Sequence, residues 1–89
     1  MKLQELRREI DKLDVQLITL LNKRVQLSLQ IWREKMQSNL PIHDQQREQR
    51  VIENVIKQNN GPLTPEQVKS IFQNIIDSCR TTQQNQKGK

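Results

Sequence analysis

The sequence predicts an all-α fold: a three-helix subunit with one long N-terminal helix that pairs with a second copy of itself. Three observations carry this. Apolar residues recur at steps of three and four along most of the chain. Strong punctuation occurs only at "SNLPIHD" (38–44) and "NNGPLTPEQ" (59–67), which divides the chain into three helical segments. No alternating strand pattern, internal repeat or low-complexity tract competes with that division.

The first helix is expected over about residues 3–36. Leu3, Leu6, Ile10, Leu13, Leu17, Leu20, Leu27 and Ile31 form its apolar stripe, opposite Arg8, Lys12, Gln16, Thr19, Lys23, Gln26, Gln30 and Arg33. The second starts near Asp44, whose carboxylate can cap free backbone N–H groups, and runs through Val51, Ile52, Val55 and Ile56 until Asn59-Asn60-Gly61-Pro62 stops it. The third opens on Thr64-Pro65-Glu66-Gln67, a capping-box pattern with proline at the first helical position, and continues through Val68, Ile71, Phe72, Ile75, Ile76 and Cys79. Residues 1–84 are read as one helical domain and residues 85–89 as a disordered basic tail.

The length of the first helix implies a partner. About 34 residues extend roughly 50 Å, whereas a compact chain of this size has a radius of gyration of ~12 Å. Two short helices cannot cover the whole stripe; a second copy of the chain can, so a homodimer is expected.

Composition narrows the function classes. The chain has 89 residues, 33% of them hydrophobic, with one Trp, one Phe and no Tyr, which suits one small domain with an aliphatic core. Cys79 is the single cysteine, so no internal disulfide can form. No apolar run reaches the ~20 residues of a membrane span, and a reduced, cytoplasmic protein is expected. The net charge of +5 invites a nucleic-acid reading. Against it, the exposed cations alternate with Glu5, Glu9, Asp11 and Glu34 rather than forming one stripe, so neither nucleic acid nor membrane is expected as a partner.

One feature resists a purely structural explanation. Arg24 lies four residues after Leu20 and three before Leu27, near the centre of the apolar stripe. Lys35 follows Ile31 by four, Arg47 and Glu48 lie one turn before Val51 and Ile52, and the stripe of the third helix arrives at Gln83. A buried cation costs several kcal/mol unless it is paired. If Arg24, Lys35 and Arg47 share a cavity with Glu48, a surplus of two positive charges remains for a small dianion. Arg7 is ~25 Å from Arg24 along the same helix, but in an antiparallel dimer the partner's copy can reach the cluster. His43 is read as a loop residue, with no case for a metal, and Trp32 as part of the dimer core.

With these residues in place, "LQELRREIDKLDVQLITLLNKR", "WREK", "LPIHDQQRE" and "IFQNIIDSCRTTQ" resemble the all-helical class of chorismate mutase, from about residue 3 to residue 83. The resemblance implies an intertwined homodimer with two sites, each built from both chains, and the rearrangement of chorismate to prephenate without metal or cofactor. It implies that Arg24 and the partner's Arg7 grip the two carboxylates and that Lys35 and Gln83 donate to the ether oxygen. Glu48 and the backbone around Asp44 would hold the ring hydroxyl, with Arg47 supporting a carboxylate and Glu48. Cys79 stands where relatives carry a small hydroxyl residue, either a weak substrate contact or a small buried hydrophobe. Two alternatives stay open: an isochorismate-pyruvate lyase, which reuses such a cationic pocket, and a regulatory module associating with another shikimate-pathway enzyme.

Overall fold

A computed structural model describes residues 2–87. Three helices follow in order, α1 (Lys2–Gln37), α2 (Gln45–Gln58) and α3 (Pro65–Lys87). Their ends are set by local hydrogen bonding. At the end of α1, Asn39 adopts φ 56°, the left-handed conformation that asparagine tolerates better than most residues. The amide of Leu40 then bonds the Lys35 carbonyl at 2.9 Å, and that of Asn39 bonds Met36 at 3.4 Å. These two bonds form a Schellman termination, with Pro41 following to prevent further helix.

Asp44 caps α2, its carboxylate accepting from the Arg47 amide at 3.0 Å. Between α2 and α3, Asn59 stitches the turn, donating to the Leu63 carbonyl at 2.7 Å and accepting from the Gly61 amide at 3.1 Å. The capping box is reciprocal: the Gln67 amide donates to Thr64 Oγ1 at 3.1 Å, and the Thr64 amide donates to Gln67 Oε1 at 2.9 Å. Thr64→Ala should therefore cost about 1 kcal/mol, read as a fall of several degrees in thermal midpoint; an unchanged midpoint would mean that the cap contributes nothing net.

α3 is the central element, packing against both α1 and α2. The buried apolar residues among those described are Ile52, Val68, Ile76 and Cys79. Three of these lie on α3, and α1 contributes none. The subunit measures 56 × 28 × 15 Å with a radius of gyration of 16.2 Å, well above the ~12 Å of a compact chain this long. It is a slab little thicker than one helix.

The apolar residues of α1 divide between two directions. Leu21, Val25, Leu29 and Trp32 are half-buried on the side toward α3. The stripe from Leu3 to Ile31 stays open, with Leu20 60% exposed and Leu27 59%. Leu27 and Ile31 are thus not part of the subunit's own core. Arg24 and Lys35, both half-buried, occupy the border between these two faces. That border explains a cation within an apolar stripe, because it is where a cleft opens beside α3.

α3 continues to Lys87, past residue 85, where a disordered tail is expected to start. Gly88 and Lys89 lie outside the described residues. None of the described helices is long and apolar enough to cross a membrane.

Candidate active site

A cavity of about 480 Å³ opens between the C-terminal half of α1, the loop after it, the start of α2 and the C-terminal half of α3. Arg24, Lys35, Asp44, Arg47, Glu48, Cys79 and Gln83 all line it. The Schellman turn folds the 40–44 loop back over α1, so that Lys35 Nζ donates to the Ile42 carbonyl at 3.3 Å. An ammonium has three donors, so two remain for a ligand.

Arg24 extends toward α3, where Nη1 donates to Cys79 Sγ at 3.1 Å. Cys79 is 5% exposed and acts here as the rest against which the guanidinium is held. A thiol is a weak acceptor and leaves the charge of Arg24 uncompensated. Among the described residues Arg24 makes no ion pair with any carboxylate. Gln83 lies in the body of α3 and donates from Nε2 to the Ser28 carbonyl at 2.8 Å, which fixes its amide against α1 and leaves its second N–H available.

Glu48 departs from the sequence reading, which pairs it with Arg47. Consecutive residues on a helix point about 100° apart and do not face each other. The carboxylate is held instead by Arg80, whose Nη2 lies 2.5 Å from Oε1 and 2.6 Å from Oε2. His43 Nε2 lies 3.2 Å from Oε2, so the loop histidine takes part in the site. The hydrogen bond that Arg80 donates to Glu48, and the charge of that carboxylate, raise the pKa of Arg80 above its ordinary value, with desolvation opposing. Arg80 carried a signal in the sequence: it lies four residues after Ile76 and three before Gln83, on the stripe that already leads into the cavity.

Trp32, assigned to the dimer core from sequence, also lines the cavity. It stands four residues after Ser28 and three before Lys35, so the helical period turns it toward α3. Arg7 is exposed and lies outside the cavity of its own subunit.

The charge balance follows from the lining. Arg24, Lys35, Arg47 and Arg80 face Asp44 and Glu48, a surplus of two positive charges with His43 neutral. Asp44 is engaged in capping α2 and Glu48 in binding Arg80. Among the described residues, Arg24 and Lys35 therefore meet only a thiol and a carbonyl as hydrogen-bond partners. No Ser–His or Cys–His pair stands ready for nucleophilic attack among the described side-chain contacts. The arrangement can neutralise a small dianion, hold it compact and stabilise negative charge on an oxygen near Lys35 and Gln83.

These features define a helical protein with a cationic, non-nucleophilic cleft for a small anionic molecule. The sequence matches the family profile described as chorismate mutase type II over residues 6–84, and the chain belongs to that family. Among relatives, it is 37% identical over 82 residues to the bifunctional chorismate mutase/prephenate dehydratase of Aquifex aeolicus, covering 88% of this chain and 23% of that protein. It is 32% identical over 88 residues to the enzyme of the same description from Pseudomonas aeruginosa, covering 93% and 24%. The chain thus spans about a quarter of the length of these curated relatives. Among solved structures, form II of the chorismate mutase from Thermus thermophilus superposes with a TM-score of 0.93 at 27% identity, covering 97% of this chain and 98% of that one. Form I gives 0.87 at 28% identity, covering 89% and 99%.

Proposed function

We propose that this chain catalyses the Claisen rearrangement of chorismate to prephenate as a homodimer whose two sites each draw on both copies. The observation that carries this reading is the pair Arg24 and Lys35, two cations at the cavity wall that meet no carboxylate among the described residues. Chorismate is a dianion and would supply the missing charge. The reaction is a concerted shift in which an ether C–O bond breaks as a C–C bond forms. It requires no proton transfer, and the protein's contribution is to hold the substrate compact and to stabilise the oxygen that gains charge.

Arg24 and the partner subunit's Arg7 bind the two carboxylates, guanidinium forks being suited to bidentate contact. Lys35 and Gln83 donate to the ether oxygen. Glu48 and the backbone near Asp44 receive the ring hydroxyl, and Arg47 supports a carboxylate from the rim. The open stripe from Leu3 to Ile31 supports the dimer, since apolar residues about half exposed or more along most of a 36-residue helix form a surface that a monomer does not leave in water. The long helices would pair antiparallel and bring Arg7 to the other subunit's cleft.

The family match favours the mutase over an isochorismate-pyruvate lyase; chorismate and isochorismate each carry a ring hydroxyl, so the Glu48 carboxylate alone does not separate them. Incubation with each substrate in turn separates the two: prephenate should form and pyruvate should not. The relatives that join a chorismate mutase to a prephenate dehydratase support a further proposal, association with an enzyme that consumes prephenate. Copurification tests it.

The role of Gln83 has its own signature. An amide keeps its N–H at every pH, whereas a carboxyl donates only when protonated, near an ordinary pKa of about 4.3. Gln83→Glu should depress activity at neutral pH and make it rise toward acid, while the wild type shows no such rise. Coincident profiles would remove Gln83 from the ether oxygen.

A further inference from the structure

Of the four cations lining the cavity, Arg80 has its charge taken by the protein itself. Its Nη2 sits between both oxygens of Glu48. Its Nη1 lies 3.6 Å from Asp77 Oδ1, which in turn accepts from Gln73 Nε2 at 3.1 Å. Arg80 is thus tethered from its own helix and reaches across to α2. Arg24 and Lys35 share the cavity with Glu48, yet neither forms an ion pair with it. A carboxylate freed on that wall would be drawn to those two groups, because opposite charges attract strongly in a partly desolvated cleft. It would then compete with the carboxylates of any anionic ligand.

We propose that Arg80 is a positioning residue that sequesters the Glu48 carboxylate, fixing it as an acceptor at the cavity wall and keeping it away from Arg24 and Lys35. The proposal rests on the reading of the cleft as a chorismate site. Its consequence is specific: two substitutions that each remove a charge should partly cancel. Without Arg80, Glu48 acts as an internal inhibitor of anion binding; without both, the inhibitor is gone.

The test is prephenate binding by isothermal titration calorimetry to the full chain and to Arg80→Leu, Glu48→Gln, the double variant and Arg80→Lys, with helicity checked by circular dichroism. Arg80→Leu should weaken binding about tenfold. Adding Glu48→Gln to it should recover several-fold of that loss, and Arg80→Lys, which keeps a cation without the planar fork, should fall between wild type and Arg80→Leu. A role confined to general folding would move helicity and would not produce recovery in the double variant. Unchanged binding in Arg80→Leu, or a double variant that binds no better than Arg80→Leu, overturns the role of Arg80. A wild type that binds no prephenate and leaves chorismate intact overturns the reading of the site, and this inference with it.

Discussion

Arg24→Ala should lower kcat/KM for chorismate by about 10²- to 10³-fold, the loss of roughly 3–4 kcal/mol expected when a charge-assisted bidentate contact is removed from a partly desolvated site. The same substitution should leave the fold intact. Arg24 donates to the thiol of Cys79 and pairs with no carboxylate among the described residues, so removing it strands no buried anion. Stability unchanged or slightly raised, beside an activity nearly abolished, separates a ligand-binding cation from a structural one. A variant that turns over chorismate normally would mean that the substrate carboxylate binds elsewhere.

Arg7→Ala should cost a comparable amount of activity even though Arg7 is outside its own subunit's cavity. The stronger form of this prediction is complementation. In a heterodimer of one Arg7→Ala chain and one Arg24→Ala chain, one site lacks both arginines and the other has both. Two nearly inactive variants, mixed, unfolded and refolded together, should regain about a quarter of the wild-type activity, since half the dimers are mixed and half their sites intact. Recovery requires shared sites, so no recovery, with dimers confirmed by sedimentation, would place Arg7 outside the chemistry.

How far the sequence could be read depended on the range of the interaction. The box at Thr64 and Gln67 and the cap at Asp44 are legible because donor and acceptor lie within one turn. The Schellman turn at Asn39 was less so: "SNLP" marks a break, but the left-handed residue is an asparagine rather than the usual glycine. Arg24 stood out because a cation within a run of leucines violates the helical pattern. Arg80, a cation on the stripe of α3, breaks the pattern too, but its role is hidden because its partner Glu48 lies 32 residues away and meets it only where α2 crosses α3.

Periodicity gives the stripe of α1 as one face, whereas the helix serves two. Leu21, Val25 and Trp32 turn toward α3, while Leu20, Leu27 and Ile31 remain open. Periodicity identifies apolar positions but cannot say which neighbour each meets when the apolar arc is wide enough for two. Trp32 lines the cavity as well, a neighbour that the same limit hides.

Arg24 and Lys35, which meet no carboxylate among the described residues, are proposed to receive a dianion in the cleft beside α3 and to speed its rearrangement. Following chorismate absorbance with purified protein tests this most directly. Saturable loss of chorismate matched by equal formation of prephenate is expected, with no metal or cofactor added, and almost none with Arg24→Ala. A folded wild-type protein that leaves chorismate unchanged would contradict it.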